Sequence, residues 1–309
     1  MSDRQGSVTI LIMLIAAVLI TVGLGFNWLV KEHVSSSEGL KSKAEAIIKA
    51  RSTFDTVIFL ILTGRVLAKE VATPGGESIA GIVTLPLNGQ LVKLGEGVSV
   101  RIQESNGAIS LWHTTSLENK AALERLIQLY AKDRDHDQNP ADNLWDWIDE
   151  DDLARTNGAE AAYYKGKGLH YVPRNYALQS LDELKLIKGF DESLLDKLDK
   201  SLTLLPKTGF NPNTASDDVL MAYLKFDEQA MKTMKEYLAD KPVSSDREML
   251  SLTGQSITKD VDAIYFRPSP YMDVTIDVGT PRKVYSIKAG LFIAQKKYAP
   301  YSVLSWKEE

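Results

Sequence analysis

Ser7-Val8-Thr9-Ile10-Leu11-Ile12-Met13-Leu14-Ile15-Ala16-Ala17-Val18-Leu19-Ile20-Thr21-Val22-Gly23-Leu24 opens a run without a charged side chain that continues to Val30. A helix over Ser7–Val30 covers roughly 36 Å at about 1.5 Å per residue, enough to cross a hydrocarbon layer of about 30 Å. Inside lipid every backbone polar group must find an internal partner, so a single such segment spans as a helix. A secretory signal has a shorter apolar core, roughly 7–15 residues, ending at a small-residue cleavage site. This run is longer and closes on Phe26-Asn27-Trp28-Leu29-Val30, with Trp28 suited to the membrane interface. The expectation is a retained, single-pass anchor; the plain alternative for such a run is a buried core helix.

Composition makes the rest an ordinary globule. The chain has 309 residues, a net charge of −5, 44% hydrophobic and 25% charged residues. The mild acidity argues against a dedicated nucleic-acid binder, which carries a basic excess. No cysteine is present, which excludes disulfides and thiolate metal sites.

Outward from the anchor, Leu40, Ala44, Ile47, Ile48, Phe54, Val57, Ile58, Ile61 and Leu62 recur at helical spacing, so Ser35–Glu70 reads as one amphipathic continuation. Thr73-Pro74-Gly75-Gly76 stops it. Ile79–Leu85, Leu91–Leu94, Val98–Gln103 and Ile109–Trp112 then read as strands punctuated by Asn88-Gly89, Gly95-Glu96-Gly97 and Asn106-Gly107. From Ser116 to about Ile264 the texture is helical: Leu117–Lys132, Asn143–Asp149, Leu181–Ile187, Glu192–Leu198, Ser216–Leu224, Asp227–Ala239 and Asp246–Leu252. Strand texture returns at Tyr271–Val278, Lys283–Lys296 and Ser302–Trp306. A helical block between strands implies an α+β fold with an inserted all-α domain.

Two polar features invite chemistry. In the acidic stretch, Asp133, Asp135 and Asp137 alternate, followed by Asn139, Asp142, Asp146, Asp149, Asp151 and Asp152. Alternating carboxylates suit a hard cation such as Ca2+, which takes six to eight oxygens. The spacing is not an EF-hand loop: a frame from Asp133 puts Gln138 at the Gly position and Leu144 at the Glu position. A frame from Asp135 puts Pro140 at the Gly position. The candidate calcium ligands are Asp133, Asp135, Asp137, Asp149, Asp151 and Glu160, and a solvated acidic loop is the alternative.

The second feature, Leu184-Lys185-Leu186-Ile187-Lys188-Gly189-Phe190-Asp191, resembles a helix-hairpin-helix turn bent at Gly189. Asn211-Pro212-Asn213-Thr214-Ala215-Ser216 opens a later helix with Thr214 or Ser216 as N-cap. DNA-binding hairpins present backbone N–H groups and lysines to phosphates. Here Lys185, Lys188, Lys197 and Lys200 are interleaved with Asp182, Glu183, Asp191, Glu192, Asp196 and Asp199, leaving little net field for counterion release. A structural hairpin is the expectation. His33, His113, His136 and His170 are scattered, and there is no HExxH, GxSxG, Walker A or GxGxxG sequence, so an enzyme is not expected.

The leader Met1-Ser2-Asp3-Arg4-Gln5-Gly6, abutting the apolar helix, resembles that of type IV prepilins. That resemblance implies cleavage between Gly6 and Ser7 by a prepilin peptidase and methylation of Ser7. The fifth mature position, usually Glu in that family, is Leu11; an unpaired intramembrane carboxylate is costly, and a subunit lacking it need not dock below another. Further pieces in order are Asp146-Trp147-Ile148-Asp149-Glu150-Asp151, Gly158-Ala159-Glu160-Ala161-Ala162-Tyr163-Tyr164, Asn175, Ser180 to Phe190, Asn211 to Ser216 and Val303-Leu304-Ser305-Trp306-Lys307-Glu308. With the leader, they resemble the K-type minor pseudopilin of type II secretion systems across nearly the whole chain.

The resemblance implies a leader at 1–6, a transmembrane helix at 7–30, a pilin-like helix-plus-antiparallel-sheet domain at 31–115 and 266–309, and an inserted helix-hairpin-helix or SAM-like helical domain at 116–265. It implies the bacterial inner membrane with the C-terminal domain in the periplasm, and bound calcium in some members. The implied partners are other minor pseudopilins, the major pseudopilin, the prepilin peptidase and the inner-membrane secretion platform, with no nucleic acid. The implied role is initiating or capping the pseudopilus tip for export of folded proteins across the outer membrane. Ser7 replaces the commoner large apolar first residue, and any family disulfide is missing. The alternatives are a membrane-anchored helix-hairpin-helix DNA receptor and a minor pilin of a related type IV pilus.

Overall fold

The structure, a computed structural model, describes residues 3–112, 116–130, 140–255, 264–279, 283–294, 296 and 298–309. Its first element is a single helix, α1 (Asp3–Thr63). Among the described residues α1 is the one helix long and apolar enough to cross a membrane, and its most apolar window is unburied. Side chains from Ile10 to Glu45 are exposed. From Ala46 onward, Ala46, Ala50, Phe54, Val57 and Ile61 bury one stripe three to four residues apart. One helix thus serves two environments: apolar all round where lipid would surround it, amphipathic where it packs on a sheet.

The helix ends earlier than the amphipathic pattern suggests. Gly64 donates to the Leu60 carbonyl, and a Cβ there would overlap Leu60, Val71 and Ala72. That close approach lets β1 (Arg65–Val66) and β2 (Glu70–Ala72) turn straight back. β3 (Thr84–Pro86) completes a three-stranded sheet. Most of the strand expected at Ile79–Leu85 is instead a tight turn, with Ala80 at φ 51° and Gly81 at φ 83° closing an Ile79–Ile82 bridge.

The main sheet holds β4 (Asn88–Lys93), β5 (Val98–Glu104), β8 (Tyr271–Val278), β9 (Tyr285–Ile293) and β10 (Tyr301–Glu308). Its order is β10-β9-β8-β5-β4, antiparallel throughout. Alternate residues of β5 and β8 are buried: Val98, Val100, Ile102, Met272, Val274 and Ile276 face the stripe of α1. Each such side chain contributes on the order of 1.5–3 kcal/mol on burial.

Although adjacent in the sheet, β5 and β8 are separated in sequence by a second hydrophobic core. This block contains β6 (Ile109–Ser110), α2 (Leu117–Tyr130), α3 (Pro140–Ile148), α4 (Ala161–Gly166), α5 (Glu192–Leu198), β7 (Leu202–Thr203), α6 (Asp217–Leu224), α7 (Glu228–Asp240) and α8 (Asp246–Thr253). Residues 181–186, expected as an α-helix, form a 3-10 helix capped by Ser180, and Gly189 (φ 87°) makes the bend before α5. Ser216 caps α6 by accepting from the Val219 N–H. The overall class is α+β.

Thr214 has another task. The Glu104 carboxylate, at the end of β5, is fully buried. One oxygen accepts from the backbone N–H groups of Asn106 (2.9 Å) and Ser269 (2.7 Å); the other accepts from Asn211 Nδ2 (3.2 Å) and the Thr214 hydroxyl. Burial pushes the Glu104 pKa up, and these four donors oppose it. The chain leaves the sheet at Asn106 and returns at Ser269, so this carboxylate fastens both crossings to the Asn-Pro-Asn-Thr segment. Leu205 leans on β9 from the helical block, where a Cβ on Gly290 would meet it at 2.9 Å.

Candidate functional site

The acidic residues converge at the C-terminal end of α3. Asp146 lies in the last turn of α3, and Asp149, just past its end and bonded through its N–H to the Trp145 carbonyl, stands three residues on. Asp146 is fully buried. A loop follows and returns through Gly158, where a Cβ would overlap the Asp146 carboxylate, so only glycine permits the approach. Behind the loop, Trp147, Tyr164 and Tyr171 form an aromatic floor with ring centroids 5.4–6.2 Å apart. The Asn175 N–H donates to the Trp147 carbonyl at 3.0 Å, and Asn175 Nδ2 donates to the Asp151 carbonyl at 3.2 Å. Asn175 adopts φ 52° to do so.

Arg155 enters this cluster. Its Nη1 lies 2.9 Å from Asp146 Oδ1 and 2.5 Å from Asp149 Oδ2, while its backbone N–H donates to the Asp146 carboxylate. Glu160 is 5% exposed, yet neither of its oxygens has a hydrogen-bond partner, and Asp149 Oδ1 is likewise buried and unpartnered. Burial and the nearby negative charges of Asp146, Asp149, Asp152 and Asp151 push the Glu160 pKa up to about 7.

Of the expected calcium ligands, Asp149, Asp151 and Glu160 are brought into this neighbourhood. Asp151 is exposed, with Oδ1 accepting from the Leu153 N–H at 2.8 Å. Asp133, Asp135 and Asp137 lie outside the described residues. Among the described residues, no three acidic or histidine side chains stand close enough to hold an ion as they are now arranged. The donor set still fits a hard cation in kind: among the described residues three buried carboxylate oxygens, both of Glu160 and one of Asp149, have no partner, and Glu160 lies in the field of neighbouring carboxylates. The sequence pattern includes Asp146 in the acidic stretch without marking it as a ligand, gives Gly158 only as part of the family motif, and gives no sign of Arg155. The Asp146/Asp149 helical spacing was the available signal; the reach of Arg155 had none.

Gly6, Ser7 and Leu11, the residues expected to serve processing and assembly, sit on α1. Gly6 and Ser7 are already in helical backbone, within its first two turns, rather than at the helix start as expected. The first four N–H groups of a helix have no internal partner, so this end is the part of α1 most easily unwound. Leu11 is 58% exposed on the lipid-compatible portion.

Three of the four hairpin lysines have partners within the protein. Lys185 pairs with Asp182 at 3.1 Å, Lys188 reaches the Asn157 carbonyl and lies 4.9 Å from the Tyr163 ring centre, and Lys197 lies over Tyr130. This arrangement gives the DNA-receptor reading no support.

Residues 100–207 match the family model of protein K of the type II secretion system (T2SS). Type II secretion system protein K of Aeromonas hydrophila is 30% identical over 175 residues, 53% of this chain and 53% of that protein, so the alignment spans about half of that relative. The Pectobacterium carotovorum subsp. carotovorum protein of the same name is 22% identical over 275 residues, 82% of this chain and 80% of that protein. A chain of the crystal structure of the GspK-GspI-GspJ complex from the enterotoxigenic Escherichia coli Type 2 Secretion System superposes with a TM-score of 0.59 at 17% identity, covering 88% of this chain and 99% of that one. Residues 100–207 thus match the type II secretion system protein K domain, and the fold of the chain is that of a chain in the GspK-GspI-GspJ complex.

Proposed function

We propose that this protein is a minor pseudopilin at the tip of a type II secretion pseudopilus, where it initiates or caps assembly for export of folded proteins across the outer membrane. The observation that carries this reading is α1, unburied and apolar in its first half and packed on an antiparallel sheet in its second, in a chain whose inserted helical block bears the protein K domain. The apolar half anchors the chain once in the inner membrane, and the folded remainder stands in the periplasm. Ile48 and Phe59, exposed on the packed half of α1, extend the apolar surface toward partner helices. Leu11 supplies no carboxylate for a subunit above, and the bulk of the helical block occupies the space a further subunit would need. The role is structural rather than enzymatic. The partners are two other minor pseudopilins, as in the complex whose chain shares this fold, together with the major pseudopilin, the prepilin peptidase and the inner-membrane platform.

Calcium belongs to the same proposal, with Asp149, Asp151 and Glu160 as the residues that would hold it. Bound there, the ion would supply the charge that the unpartnered oxygens of Glu160 and Asp149 lack and would fasten the end of α3 to the loop before α4. The deciding measurement is the mass of the N-terminus after co-expression with a prepilin peptidase. Loss of residues 1–6 and methylation of Ser7, abolished by substitution of Gly6, is the expected result. An intact Met1 in both proteins refutes the pilin pathway.

A further inference from the structure

The acid cluster already contains a cation of its own. Nη1 of Arg155 bridges Asp146 Oδ1 and Asp149 Oδ2, while Glu160 and Asp149 Oδ1 remain buried without partners. A guanidinium offers only donors along a fixed fork, and this one leaves the deepest unpaired carboxylate, Glu160, unserved. It takes one oxygen of Asp146 and one of Asp149, and among the described residues no three carboxylates are grouped to hold an ion.

We propose that Arg155 is an intrinsic competitor for the cation site: its guanidinium holds the cluster in the metal-free protein and must swing out for calcium to enter. The inference rests on the calcium reading and adds to it the residue that sets the affinity.

Two observations make the guanidinium displaceable. The Arg155 side chain is 41% exposed, so an open path to water exists. The turn does not depend on the guanidinium, because the Arg155 N–H bonds the Asp146 carboxylate and the Gly158 N–H bonds the Arg155 carbonyl at 3.0 Å. Departure of the guanidinium frees an oxygen on Asp146 and one on Asp149 beside the unpartnered oxygens of Glu160. A divalent ion then meets several hard oxygens, where the guanidinium met two. A ligand whose site is open only part of the time binds with affinity reduced by that fraction. Removing the competitor therefore raises the affinity.

The test is calcium titration calorimetry on the full chain in detergent micelles, for wild type and Arg155→Gln, with thermal unfolding in excess chelator as a second readout. Binding about tenfold tighter in Arg155→Gln, with lower unfolding temperature in chelator and convergence of the two proteins in saturating calcium, is the expected result. Binding by Arg155→Gln alone also supports the competitor role, while overturning calcium binding by the native chain. Equal or weaker binding by the variant overturns the competitor role and leaves the calcium site standing; binding by neither overturns both. If Arg155→Gln does not fold, Arg155→Met, which keeps the side-chain length without the charge, carries the same comparison, and affinity at or below wild type overturns the proposal.

Discussion

Glu104→Ala removes a side chain that binds both crossings between sheet and helical block, leaving the Ser105–Ser269 hydroxyl contact (2.9 Å) to join them. Four donors lose their acceptor: the N–H groups of Asn106 and Ser269, Asn211 Nδ2 and the Thr214 hydroxyl. The Thr214 hydroxyl has an alternative in the Asn211 carbonyl at 3.4 Å, and Asn211 Nδ2 has a long contact to the Ala68 carbonyl at 3.4 Å. The two backbone N–H groups depend most on Glu104. A buried donor left unsatisfied costs about 1–3 kcal/mol. Two full losses and two partial ones sum to roughly 4–6 kcal/mol by the same scale. The carboxylate's own burial, which raises its pKa, offsets part of this. The net expected loss is about 3 kcal/mol, or a fall of roughly 6–12 °C at about 2–4 °C per kcal/mol. Thermal unfolding followed by circular dichroism measures it, and limited proteolysis at the crossings, near residues 105–110 and 264–270, reports whether the two cores have come apart. An unfolding temperature within about 2 °C of wild type, with the crossings still protected, would refute the claim that this carboxylate holds the cores together. Glu104→Gln keeps the volume and an acceptor, so it should fall between the two.

Gly158→Ala pushes a methyl group into the Asp146 carboxylate and should cost roughly 2 kcal/mol or more, read by the same unfolding curve; a neutral result would mean the loop yields freely. Lys307→Ala breaks solvent-accessible contacts to Asp182 and Glu309, so its expected effect on stability is below about 1 kcal/mol. The Asp182 carboxyl is held at a pKa of about 2 by hydrogen bonds from Lys307 and Lys185. Its contribution is therefore present above the ordinary aspartate range and disappears as pH falls through about 2. A carboxyl-carbon NMR titration should show that low midpoint, and Lys307→Ala should raise it; a midpoint near 3.8 in the native chain contradicts the tether. Leu11→Glu should impair filament initiation and secretion, and unchanged secretion would remove Leu11 from the tip mechanism.

What the sequence displays is periodicity, and what it conceals is polar contact over long separations. The stripe on α1 and the alternation of β5 and β8 were legible because burial imposes periods of 3.6 and 2 on side chains. The bend at Gly189 was legible because a positive φ selects glycine. Glu104 carries no such mark. Its partners Asn211 and Ser269 lie 107 and 165 residues away, and a glutamate closing a strand ordinarily reads as solvent-facing. Thr214, a plausible helix cap by composition, gives its hydroxyl to that carboxylate while Ser216 caps α6. The acidic stretch divides along the same line. Composition announces excess negative charge around α3, and Asp149, Asp151 and Glu160 can be selected from it. Which carboxylate is left without a partner depends on the reach of Arg155, and an arginine in an acidic loop reads as ordinary surface neutralisation. Charge counted along the chain bounds the field a cation would feel; burial and the one nearby guanidinium decide whether a cation can take the place.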